Sequence, residues 1–222
     1  MSHPTPDSTL GSTARTRVRR LPDHAVRERT ALHAVLDAGL VGHLAITGED
    51  GQPFVLPVAY ARDGERVLIH GSTGSRLFRG LAAGAPTCLT VTLLDGLVLA
   101  RSAFESSMHY RSAMVLGSCV VLPEDEKVAA LDLLTDRLLP GRREELRPHR
   151  VKELAATLVL ALSLDEASVK ISAGPPDDDD EDLDAPIWAG VVPIGEHFGE
   201  PVPAPDLRFD LPAPDYLRKW RR

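Results

Sequence analysis

The densest ligand-holding chemistry in the chain lies in His70-Gly71-Ser72-Thr73-Gly74-Ser75-Arg76. A β-like run ends here and a helical run begins. Small residues let backbone N–H groups face outward at a helix start, where free donors and partial positive charge collect. Ser72, Thr73 and Ser75 add hydroxyls, and Arg76 adds a planar fork that fits a phosphate. Together these groups suit a phosphate monoester. No Gly-Lys-Ser/Thr follows, so this is not a Walker loop. The same spacing also suits a plain N-capped helix, and both readings stand at this point.

A second cluster runs from Arg101 to Ser112, with basic and hydroxyl groups on either side of a bend between two strands. It reads either as a charged barrel rim or as a strand start that turns Arg111 and Ser112 toward a ligand. His109 lies beside it, with rim packing and proton transfer equally open. His24, His33 and His149 sit in polar helical surroundings and read as surface residues, and His43 reads as a packed or capping residue. Trp188 and Trp220 read as packing anchors. No acid–base dyad stands out, so no catalytic residue is assigned.

The net charge is −7, and Asp177 to Asp184 alone supply seven negative charges. The remaining body is neutral, with no basic field for nucleic acid. The acidic run reads as a solvated loop, since it lacks the glycine and spacing of a calcium loop. Cys88 and Cys119 give neither a disulfide framework nor zinc spacing, so no metal is expected. No apolar run is long enough to span a membrane, Arg19-Arg20 leads into no export signal, and the expected compartment is the cytoplasm.

The elements that must position these groups follow from hydrophobic period. Residues 1–20 read as a mobile arm. Asp23 reads as the N-cap of a helix through Leu36, ended at Ala38-Gly39. Short strands follow at 41–47, 54–60 and 66–70, with Pro53 and Pro57 marking an edge or bulge in the second. A helix at 76–83 leads to β-rich runs at 87–94 and 97–102. Asp95-Gly96 between them is the strongest hairpin signal in the chain. A strand at 110–122, helices at 124–139 and 142–155, and closing strands at 157–164 and 168–172 complete the body. After the acidic loop (175–185), residues 186–222 form a C-terminal segment with an ordered apolar stretch at 187–194. This order predicts a mainly β fold over 21–174: an antiparallel barrel with an N-terminal helix, an inserted helix and a helical pair.

Three pieces occur in an order that resembles the pyridoxamine 5′-phosphate oxidase-like family. They are Gly42–Ile46 with Pro53–Tyr60, Leu68–Gly71 with Gly74-Ser75-Arg76, and Thr90–Phe104 leading to Tyr110–Gly117. The third piece and Ile187–Pro193 most resemble its nitroimidazole-resistance-like branch. The resemblance implies a homodimer of split barrels with FMN between subunits. It implies that Ser75 and Arg76 hold the phosphate, that Arg111 and Ser112 lie beside the flavin, and that Pro57, Val58, Ala59 and Tyr60 line the ring with backbone groups. It also implies that His70 lies close to the flavin or its phosphate.

There are departures. Leu77 replaces a phosphate-contacting lysine, which weakens phosphate binding by about 1–2 kcal/mol. Ser112 replaces a glutamine, and Glu105-Ser106 replace a common His-His. The substrate motif of true pyridoxamine oxidases is not evident, so pyridoxal phosphate synthesis is not expected. The expected function is an FMN-dependent oxidoreductase acting on a small molecule and fed by a reduced nicotinamide that binds transiently, since no GxGxxG fingerprint is present. The alternative is a flavin-, deazaflavin- or haem-binding module without turnover, with His70, His43 or His109 as axial-ligand candidates.

Overall fold

Alternation along the strands, with one face buried and the other open, builds the body. The computed structural model describes residues 9–48 and 50–220. The strands are β1 (Ala25–Val26), β2 (Val41–Thr47), β3 (Pro53–Asp63), β4 (Arg66–Ser72), β5 (Pro86–Leu99), β6 (Ser107–Ser118), β7 (Val120–Val121), β8 (Thr157–Ser163), β9 (Glu166–Ser172) and β10 (Gly190–Pro193). They pair antiparallel in the order β1-β9-β6-β5-β2-β3-β4-β8-β7, with β10 added on β5. Only Cys119 separates β6 from β7, yet β7 pairs with β8 at the far end of that order. One nearly continuous segment therefore closes the sheet on itself, the mainly β barrel that the hydrophobic period predicts.

Two cores result. The inner core joins Leu44, Tyr60, Val67, Ile69, Leu89 and Val115 from the strands with Leu32, Val35 and Leu36 of α1 (Arg29–Ala38) and Phe78 and Leu81 of α2 (Arg76–Ala82). The positions of α1 fall at i, i+3 and i+4, one buried stripe of a helix. The outer core packs Ala130, Leu131 and Leu134 of α3 (Glu124–Leu138) on Leu68, Val159 and Ala161. Alternation along β4 feeds both cores at once: Val67 and Ile69 point inward, Leu68 outward.

The first helix begins later than its expected cap. Pro22–His24 is a 3-10 turn, and α1 starts at Arg29 after Glu28. Ala25 and Val26 pair instead with Lys170 and Val169, because Val26 extends the sheet edge and packs on the inner core. The helical stretch expected at 142–155 is split into a 3-10 turn at Arg143–Glu145 and α4 (Val151–Ala155). Pro148 accounts for the break.

Asp95-Gly96 is not a hairpin turn. β5 runs straight through it, with a register shift between Leu94 and Gly96. Asp95 is the extra residue of a bulge, and a Cβ at Gly96 would stand 3.0 Å from the Val192 carbonyl oxygen of β10. The glycine admits a neighbouring strand. The turn lies at 100–106, where the Ser106 hydroxyl donates to the Ser102 carbonyl (2.7 Å) and the Glu105 amide donates to the Ser102 hydroxyl (3.1 Å).

Both flanking segments are tied to the body. Leu10 and Thr16 are buried, the Gly11 amide donates to the Ala167 carbonyl (3.0 Å), and Arg15 pairs with Glu166. Residues 1–8 of the expected arm lie outside the described residues. In the acidic run, Asp178 is no solvated residue: its side chain is 2% exposed and pairs with Arg101 at 2.8 Å. Asp179, Asp180, Glu181 and Asp184 are exposed.

Candidate cofactor site

The 70–76 segment is shaped by a contact between a glycine and an aromatic ring. A Cβ on Gly71 would lie 2.3 Å from the Phe78 ring, so only glycine lets α2 fold back over the end of β4. The loop then ties itself together. The Thr73 amide donates to the Ala156 carbonyl (3.0 Å), the Gly74 amide to the Ser72 hydroxyl (3.1 Å) and the Ser75 amide to the Ser72 carbonyl (3.0 Å). The Ser75 hydroxyl caps α2 by accepting from the Phe78 amide (3.4 Å).

The amides of residues 73–75 are therefore spent within the chain. What remains for a ligand is the hydroxyl of Thr73, the first-turn amides of Arg76 and Leu77, and the Arg76 guanidinium. Ser72, Thr73, Gly74 and Arg76 are all exposed. Arg76 has no ion-pair or hydrogen-bond partner among the described residues, unlike Arg62, Arg66, Arg101 and Arg111. An exposed, rigid loop with an unpaired arginine fits a phosphate group.

His70 pairs in register with Val159 and keeps an exposed edge, with no side-chain partner among the described residues. Surrounding protein mass desolvates the ring and pulls its pKa below 6.5. The neutral form, which binds metals through a ring nitrogen, is thus favoured at neutral pH.

The Pro57–Tyr60 stretch divides in two. From Pro53 to Ala59, β3 pairs with β2 alone; pairing with β4 begins at Tyr60. The first half is an open edge, where Pro53 and Pro57 do least harm, as their positions predict. Phe54, Val55 and Leu56 are exposed along it. Val58 and Ala59 are half-buried, whereas the Tyr60 ring lies in the inner core and its hydroxyl donates to the Leu36 carbonyl (2.6 Å). Only the backbone of Tyr60 faces its neighbour strands.

The outer face of β9-β6-β5-β2-β3 is the second feature. Cross-strand pairing aligns Pro57, His43, Thr90, Met114 and Ser168 in one row, and Thr92, Ser112 and Lys170 in the next. Ser112 belongs to this face. Arg111, one residue earlier, points to the other side and forms a two-pronged pair with Asp95 at 2.7 and 2.8 Å. That pairing holds the Asp95 carboxyl below its usual range. The row on the outer face escaped the sequence reading, because register is invisible until the Asp95 bulge is recognised.

Among the described residues, no three His, Cys, Asp or Glu side chains gather as a metal site, and no helix is long and apolar enough to cross a membrane. Cys88 and Cys119 are free, and burial pushes the Cys119 thiol up to about 11.

The profile of the pyridoxamine 5′-phosphate oxidase family matches residues 28–171, most of the barrel. The chain belongs to this family. Solved structures similar to this chain include a FAD and haem binding protein from Mycobacterium smegmatis, 47% identical, with 88% of this chain and 96% of that one covered and a TM-score of 0.84. The flavocytochrome Anf3 from Azotobacter vinelandii is 42% identical over 96% of this chain and 99% of its own, with a TM-score of 0.89. A 5-nitroimidazole antibiotic resistance protein from Bacteroides thetaiotaomicron shares the oxidase-family fold at 18% identity, covering 66% of this chain and 86% of that one, with a TM-score of 0.56. No curated protein matches the chain.

Proposed function

We propose that this chain is a flavin- and haem-binding oxidoreductase of the flavocytochrome kind. One observation carries the reading: the exposed loop at Ser72–Arg76 keeps an unpaired arginine, in a chain 47% identical to a FAD and haem binding protein. In this reading Arg76, the Thr73 hydroxyl and the first-turn amides of α2 grip a flavin phosphate, and Ser75 holds the helix start in place. The Pro57–Ala59 edge and Ser112 face the ring system. His70, neutral and unpartnered, is the haem ligand. Flavin and haem together supply conversion between two-electron and one-electron transfer.

FAD is the first choice of flavin, on the likeness to the mycobacterial protein. FMN is the second, favoured by the match of Ser75-Arg76 to a terminal phosphate. The electron donor is a reduced nicotinamide that docks only transiently, and the electron acceptor is a small molecule. A second copy covers the open β3 edge, where Phe54, Val55 and Leu56 are exposed; the working unit is a homodimer in the cytoplasm.

The absorption spectrum of the purified protein tests the core of this reading. Flavin bands and a Soret band are expected, with the flavin bands bleaching on addition of reduced nicotinamide. Nucleotide released on denaturation identifies FAD or FMN, and light scattering gives the oligomeric state. A protein that binds neither cofactor after reconstitution would end the proposal.

A further inference from the structure

Beyond β10 the chain runs through a Pro-rich stretch and returns as a 3-10 turn at Asp215–Lys219. Its docking is specified by the body. The Trp220 indole donates to the Pro140 carbonyl (2.9 Å), Arg142 donates to the Tyr216 hydroxyl (3.2 Å), and that hydroxyl donates to Glu145 (3.1 Å). Gly141 has φ of 83°, and a Cβ there would stand 3.1 Å from the Tyr216 ring. The residue is therefore bound to be glycine on two counts.

This latch leaves a cavity of about 960 Å³ beneath it. One wall is aromatic: Phe198, Tyr216 and Trp220, with the rings of Phe198 and Trp220 edge-on at 5.4 Å. Aliphatic side chains, among them Ala38, Leu93 and Leu94, line the rest of the space. A lining of aromatic and aliphatic side chains suits a flat ring. The charges lining the space are mostly engaged. Asp37 is held by Arg62, Asp95 by Arg111, and Arg137 donates to the carbonyls of Asp37 and Gly39. Glu196 is also engaged. Lys219 has no partner among the described residues.

We propose that this cavity binds a planar aromatic molecule carrying one negative charge, with Lys219 as its counter-ion. No residue of the 70–76 loop lines the space, so the site is separate from the phosphate-holding loop.

Equilibrium dialysis of the purified protein against 2-naphthoate and its neutral analogue 2-naphthamide tests the proposal, with flavin content measured on the same sample. Saturable one-to-one binding of naphthoate is expected, several-fold tighter than the amide. Lys219→Gln should lower naphthoate affinity to the amide's level. Ala38→Phe, at an exposed position, should project a ring into the space beside Leu93 and Leu94 and weaken binding of both. Leu94→Glu, also exposed, should weaken naphthoate far more than the amide, and it serves if Ala38→Phe does not fold. Absence of saturable binding, equal affinity for acid and amide, or unchanged binding in a folded Ala38→Phe variant overturns the proposal. Naphthoate binding in a sample that holds no flavin supports this site while counting against the cofactor reading.

Discussion

Gly71 lies flat against the ring of Phe78, at a separation no side chain could survive. A Cβ on Gly71 would come within 2.3 to 2.6 Å of three ring atoms, and the ring itself is only 6% exposed. This contact sets the angle at which α2 leaves β4, and hence the shape of the loop between them.

Gly71→Ala should therefore damage both fold and site. Overpacking of this kind costs about 1–3 kcal/mol. Urea unfolding should show that loss, and flavin content should fall in the same preparation. Full stability and full flavin occupancy would mean that α2 can shift without cost.

Arg76 should behave in the opposite way. It is exposed and makes no hydrogen bond or ion pair among the described residues, so Arg76→Ala should leave the unfolding midpoint unchanged. Loss of a charge-assisted bond to phosphate is worth about 1.5–3 kcal/mol, so flavin dissociation should rise by roughly 10-fold or more. Titration of apo-protein with flavin, followed by fluorescence, reads the change.

His70 gives a pH dependence with a definite sign. Desolvation lowers its folded pKa below 6.5, so the unfolded chain takes up the proton first as the pH falls. Cofactor-free protein should lose stability as pH drops through 6.5, until the folded imidazole also titrates. His70→Gln should remove that part of the slope, which sets in as the pH falls through 6.5 and ends where the folded ring takes up its proton. The same variant should lose the Soret band while keeping its flavin. An identical slope in variant and wild type would assign the effect to other groups.

Asp178 should be the sensitive member of the acidic run. Asp178→Ala leaves the half-buried Arg101 without its carboxylate, at a cost of about 1–3 kcal/mol. Amide exchange in β10 should quicken, since the segment joining β9 to β10 loses its anchor. Asp184→Ala, at an exposed position, should change neither.

Much of this was legible in the residues. Alternation at 41–47 and 66–70 gave the strands, the second of which runs on to Ser72, and the Ser75 cap with Gly84 and Pro86 beyond it gave α2. Pro53 and Pro57 marked the half of β3 that has only one neighbour. The misreadings share one cause: a local signal served a distant contact. Asp95-Gly96 has the chemistry of a turn, yet the glycine admits β10 and the aspartate holds Arg111. Val26 has helical spacing, yet it completes a sheet edge. Asp178 looks like any other acid in its run until Arg101 is seen beside it. None of these partners lies near in sequence, so no window of residues could reveal them.

The single extra residue at Asp95 also shifts the count along β5 while leaving its two faces in place. Before it the odd-numbered Thr87, Leu89 and Val91 are buried; after it the even-numbered Gly96 and Val98 are buried, and Leu97 and Leu99 look outward. Excising Asp95 would leave Leu94 outward and Gly96 inward, so the alternation would run on unbroken; what would go is the local bend and the carboxylate that grips Arg111. A residue inserted where no bulge absorbs it would instead exchange the faces of everything beyond it and thrust Leu97 and Leu99 toward the interior. β5 can thus change length by one residue at this joint without trading its wet side for its dry one.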